Sequence, residues 1–192
     1  MLFRKAPTVT LPAQLTALLE NIDLAGTTMQ GLAQEVVEEC LIYGRIGLLV
    51  DHPTAMEGAT RADAQRLNLR PFISLYEADS IYNWQTTRTN GVTELTQVRL
   101  IEKAEMPQED EFAVKCEDRY RVLDLKEGKY RQRLYRVAED GTEMQIGEDI
   151  YPTINNQPMP FIPFVVVGVD CIGMAVGAPP LIDLVTTNFH HY

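Results

Sequence analysis

Between Pro71 and Val169 the chain runs in short apolar and alternating segments that are broken at Asn90-Gly91, Glu127-Gly128 and Asp140-Gly141. Dipeptides of this kind tolerate the positive φ that a tight hairpin demands, so successive segments fold back on one another as antiparallel strands. This predicts a β-rich meander over residues 71–170. Its strands are expected at Phe72 to Tyr76, Ile81 to Thr86, Val92 to Glu102, Glu111 to Leu125, Lys129 to Ala138, Glu143 to Asp149 and Phe161 to Val169. Thr96, Val98 and Leu100 oppose Gln97 and Arg99 in period two, and Tyr120 and Val122 alternate with Arg119 and Arg121. That alternation marks a sheet with one face buried and the other turned to water or a partner.

Upstream the pattern is helical. Residues 1–10 are an extended lead-in, and Leu11 to Leu19 begins a short helix with Leu15, Leu18 and Leu19 on one face. Thr27 and Thr28 are cap candidates for a second helix, whose core face carries Leu32, Val36, Cys40 and Tyr43. Gly44 and Gly47 release the chain into Ile46 to Val50, an apolar run that reads as a strand covered on both faces. A loop at Asp51 to Gly58 leads to a polar surface helix at Ala59 to Leu69. Pro179 and Pro180 open a last helix, and its stripe of Leu181, Leu184 and Val185 has no capping signal before Tyr192. The expectation is one α+β domain over residues 1–192, cut from a longer polypeptide. In it a helical part with one buried strand (1–70) packs on a mainly antiparallel meander (71–170), and a truncated helix starts at 178–192.

Charge narrows the function classes. The formal net charge of -10 opposes free association with nucleic acid, where phosphate neutralisation supplies most non-specific affinity. Between Arg119 and Arg136, however, seven basic residues face two acids, leaving 10 bases and 25 acids in the rest of the chain. That segment reads as a solvated hairpin face, a contact with an acidic neighbouring subunit, or a nucleic-acid patch. The subunit contact would use Arg119, Arg121, Arg131 and Arg133. No apolar window is long enough to span a bilayer and no secretory signal opens the chain, so a soluble protein made in the cytoplasm, with no membrane partner, is expected. Cys40, Cys116 and Cys171 are odd in number and form no CxxC pair, so they are expected reduced and buried.

Candidate chemistry is sparse. Asp51-His52, at a strand end, is the best enzymatic pair, because a carboxylate can orient an imidazole base; the alternative is a satisfied loop pair. Glu35, Glu38 and Glu39 share a helix without a partnering histidine motif and read as a solvated face. Gly168, Gly173 and Gly177 lack the spacing and the Gly-Lys-Ser/Thr of a phosphate loop. His190-His191 are adjacent, so on a helix they diverge and do not chelate as an i, i+4 pair does. No catalytic, cofactor-binding or metal residue is therefore assigned. Tyr82 and Trp84 fall on one face by period two, as core or as an aromatic partner surface.

Several segments, in order along the chain, resemble one protein family. They are Phe3-Arg4-Lys5-Ala6-Pro7, Tyr43-Gly44-Arg45-Ile46-Gly47-Leu48-Leu49-Val50-Asp51, Arg70-Pro71-Phe72 with Ser80-Ile81-Tyr82-Asn83-Trp84, and Tyr120-Arg121-Val122-Leu123. Phe161-Ile162-Pro163-Phe164 and Ala178-Pro179-Pro180-Leu181-Ile182-Asp183-Leu184 with His191-Tyr192 complete the series. The family is the portal-like proteins of tailed phages and prophages. The resemblance implies a non-catalytic subunit of the head–tail connector ring, usually of twelve copies, through which DNA is packaged and ejected. It implies the outer, wing-like α+β region, with family members extending at both ends. The implied partners are further copies of the chain, the terminase large subunit, a head–tail adaptor and capsid proteins, with DNA as passing cargo. The implied location is the bacterial cytoplasm and then a virion vertex. A head–tail adaptor, another virion interaction module, or a hydrolase using Asp51 and His52 are the competing expectations.

Overall fold

The computed structural model describes residues 5, 8–53, 69–106, 114–138, 140–170 and 172–191. All but the last residue of the polar helix expected at Ala59–Leu69 lies outside them, as does Cys171. The described chain is of the α+β class, but it divides into two compact units, residues 1–78 with 163–192, and residues 79–162. The expected single domain is thus two units, one inserted in the other.

In the first unit the short helix near Leu11 is a 3-10 turn at Ala13–Leu15 followed by α1 (Ala17–Glu20). Helix α2 spans Met29–Tyr43, and the Thr28 hydroxyl oxygen accepts the Gly31 N–H at 3.1 Å, the side-chain cap its sequence promised. Leu32 and Cys40 are buried, whereas Tyr43, on the same stripe, is exposed. The helix ends directly behind it, because Gly44 adopts φ 83° and returns its N–H to the Cys40 carbonyl at 3.0 Å. Strand β1 (Arg45–Asp51) then enters the centre of a three-stranded antiparallel sheet, between β2 (Phe72–Tyr76) and β10 (Phe164–Gly168). Both flanking strands were expected in the meander. They belong to β1 because its two edges need partners: Leu48 pairs with Leu75 on one side and Val165 on the other. Ile46, Leu49 and Val166 form the core here, with Tyr76 set edge-on to Phe164 at 6.1 Å. Cover on both faces does not extend along the whole of β1, since Val50 is exposed. The Cys40 thiol donates to the Val167 carbonyl, and burial, helped by Glu39, pushes its pKa up.

The second unit is a five-stranded meander in sequence order: β3 (Ile81–Thr89), β4 (Val92–Met106), β5 (Lys115–Lys126), β6 (Lys129–Val137) and β7 (Glu143–Ile150). A small hairpin, β8 (Thr153–Ile154) with β9 (Gln157–Pro158), follows. Asn90 and Gly91 take φ of 52° and 84°, and Glu127 and Gly128 take 53° and 73°, so both turns have the left-handed pair that matches strand twist. One sheet face carries the fully buried Val98, Leu100, Leu123 and Tyr130. Met159 covers part of it, accepting the Tyr130 N–H at 2.7 Å. Among the described residues no helix is long and apolar enough to cross a membrane.

A methyl group on Gly44 would lie 3.1 Å from the Gly177 carbonyl oxygen and 3.3 Å from the Pro179 nitrogen, in addition to the strained φ. Gly91 has a similar φ but open space around it. Gly44→Ala is therefore expected to destabilise the protein by more than about 1 kcal/mol and by more than Gly91→Ala does, read from urea-denaturation midpoints.

Candidate functional site

Register decides what the basic segment does. Across the β5–β6 hairpin Asp124 pairs with Arg131 and Val122 with Arg133, while Arg121 pairs with Leu134 and Arg119 with Arg136. Directly opposed residues share a face. Arg131 and Arg133 therefore lie on the face opposite to Arg119 and Arg121, and the four arginines do not form one patch.

Each of the four is also held within its own chain. Arg121 makes two bonds to the Glu102 carboxylate, at 2.6 and 3.3 Å, and a third to Gln132 Oε1 at 3.0 Å. The buried Gln132 amide passes the chain on by donating to Tyr130 Oη at 2.8 Å. Arg119 bonds to Glu117 at 2.8 Å. On the other face Arg131 grips Asp124 through two parallel bonds of 2.9 and 2.8 Å and reaches Asp149 at 2.9 Å. Arg133 adds a bond to Asp124 at 2.6 Å and one to Tyr135 Oη at 2.7 Å. The acidic surface that the basic segment meets is thus built by its own and the flanking strands. Bidentate pairing with Asp124 raises the Arg131 pKa, and the bond from Gln145, followed by Arg131, holds the Asp149 carboxyl below the usual range.

The aromatic pair is separated too. Trp84 stands opposite Val98, on the buried face. Between Ile81 and Asn83 the register shifts by one residue, a bulge that breaks the period-two pattern and leaves Tyr82 on the other face, where its ring meets Tyr120 edge-on at 6.1 Å. Tyr82 is 61% exposed. At the end of β1, Asp51 Oδ1 accepts the backbone N–H of His52 at 2.9 Å, and His52 Nδ1 lies 2.8 Å from the Pro53 carbonyl oxygen. A carbonyl only accepts, so that nitrogen carries the proton. His190 Nδ1 likewise faces the Thr186 carbonyl at 2.7 Å. Among the described residues no three His, Cys, Asp or Glu side chains converge as metal ligands.

What the register does assemble is a cleft of about 330 Å³ across the open face of the five-stranded sheet. Tyr82, Tyr120 and Tyr135 line it, together with Arg99, Arg133 and Glu143. Arg133 is fixed by its Asp124 and Tyr135 bonds and lies 5.6 Å from the Tyr135 ring centre. Arg99 is exposed, and its only bond among the described residues is from Nε to Gln97 Oε1, at 3.2 Å. Alternation puts Arg99 on the open face, yet nothing in the sequence aligns it with Tyr120 on the next strand and Tyr135 two strands away. Set against known proteins, the chain matches no protein-family model and no curated relative.

Two outcomes follow from the charge networks. Asp124 is 7% exposed and shared by two guanidiniums, so Asp124→Ala is expected to cost about 3 kcal/mol. Glu117→Ala, at a partly solvated pair within one strand, should cost less than about 1 kcal/mol; urea titration of both variants checks the contrast. Because the folded-state pKa of Asp149 is lowered, its contribution is complete above the ordinary aspartate range and is lost as pH falls through the lowered value. The stability difference between the wild type and Asp149→Asn should accordingly shrink when denaturation is repeated at progressively lower pH.

Proposed function

We propose that this chain is part of a portal subunit of a tailed phage or prophage, from the wing-like region of the head–tail connector ring. The observation that carries the reading is the serial agreement of its segments with that family, from Phe3-Arg4-Lys5-Ala6-Pro7 to the Ala178-Pro179-Pro180 run. The α+β architecture, with a β meander inserted in a helix-and-strand unit, supports it. So does the strongly acidic composition, which lets DNA pass without being gripped through its phosphates. Helix α3 (Ile182–Phe189) exposes Leu184, Val185 and Phe189, the last to 82%, an apolar display suited to an assembling subunit.

In this reading the subunit has no catalytic role. Its partners are further copies of itself, the terminase large subunit, a head–tail adaptor and capsid proteins, with DNA as non-specific cargo, and its destination is the capsid vertex. Because Arg121, Arg131 and Arg133 are paired across neighbouring strands, reversing their charges would act on folding before it acted on assembly, and they are poor probes of subunit contact.

The test is to express the uninterrupted gene product and count its copies by native mass spectrometry and negative-stain microscopy. Closed rings of about twelve copies with a central channel are expected. A monomer or dimer across several buffers would remove the portal reading. A ring formed by a gene product that does not continue beyond Tyr192 would favour a head–tail adaptor.

A further inference from the structure

We propose that the tyrosine-lined cleft of the five-stranded sheet is a docking site for an extended peptide segment of a partner protein, anchored by a carboxylate on Arg99. The inference rests on the cleft alone and holds whether or not the portal reading does.

The anchor is the uncommitted part of one guanidinium. Arg133, beside it, is spent on Asp124 and Tyr135, whereas Arg99 uses only Nε, toward Gln97. Its two terminal amino groups have no partner among the described residues, and a guanidinium edge of that kind matches a carboxylate through two parallel bonds. The floor is aromatic. Tyr82, Tyr120 and Tyr135 offer apolar ring area and polar hydroxyls, a combination enriched where proteins meet.

The far end has the opposite sign. Glu143 on β7 lines the cleft and has no hydrogen-bond or ion-pair partner among the described residues. Arg99 on β4 aligns with Val122 and Arg133, whereas Glu143 on β7 pairs with Val137, four residues further along β6. The two thus lie three strands and about four residues apart, about 20 Å at the usual strand spacing and rise. About six extended residues cover that distance. The complementary segment is therefore short, carries an acid at one end and a base at the other, and places apolar side chains on the tyrosines between them. A single-stranded nucleic acid fits this polarity poorly. It would bring several phosphates to one free guanidinium and drive others toward Glu143.

The experiment uses the ¹⁵N-labelled chain and two blocked heptapeptides, Asp-Leu-Ser-Leu-Ser-Leu-Lys and its reverse, each also made with asparagine in place of aspartate. At least one acidic peptide should shift the amide signals of Arg99, Tyr120 and Tyr135 and bind about tenfold more tightly than its asparagine counterpart. Arg99→Gln, at an exposed position, should erase that tenfold difference while leaving the thermal melt and the weaker binding of the asparagine peptide unchanged. Equal binding of acid and amide, shifts outside the cleft, or no binding at millimolar peptide would overturn the proposal. Shifts of the same signals by oligothymidylate but by neither peptide would overturn it in favour of nucleic acid.

Discussion

The register of the β5–β6 hairpin is the constraint on which the second unit depends. Glu127 and Gly128 close it with two left-handed residues, so Leu125 falls opposite Tyr130, Leu123 opposite Gln132 and Asp124 opposite Arg131. A slip of β6 by one residue would turn its faces over, burying Arg131 and Arg133 and exposing Tyr130. The neighbouring strands take their alignment from the same source, because β4 pairs Val98 with Leu123 and β7 pairs Gln145 with Tyr135.

That register turns a charge imbalance into cross-links. Seven bases between Arg119 and Arg136 look like a surface feature when read linearly. In the sheet Arg121 stands next to Glu102 on β4, and Arg131 and Arg133 next to Asp124 on β5, with Arg131 also reaching Asp149 on β7, so these ion pairs run across strands on both faces. Pairs of this kind bring modest net stability, because desolvation offsets much of the attraction, but leaving one partner alone in a buried place is costly. They therefore penalise misaligned strands more than they reward the aligned ones. The first unit relies on a different device: Gly44 turns α2 straight into β1 and gives the following Gly177 to Pro179 segment room to approach.

The two faces of the meander differ as a result. One is filled by Val98, Leu100, Leu123 and Tyr130, and the other remains open with its tyrosines and one uncommitted guanidinium. Were a partner to dock on the open face, the sheet would be ordered before it arrived and little entropy would remain to be lost.

Local chemistry was legible in the sequence. Asn90-Gly91 and Glu127-Gly128 announced their hairpins, Thr28 its cap, and the alternation through Val98 and Leu100 its buried face, because each depends on a few adjacent residues and their φ preferences. The assignment of β2 and β10 to β1 was not legible, since β2 lies 21 to 29 positions from its partners and β10 more than a hundred, with no mutual signal in either case. The separation of Tyr82 from Trp84 was hidden as well: a single bulged residue breaks an otherwise correct period. Turns, caps and the charge balance were thus determined by the sequence itself. Which arginines stay free and which tyrosines share a cleft was decided only by tertiary structure, because both depend on register summed across four strands.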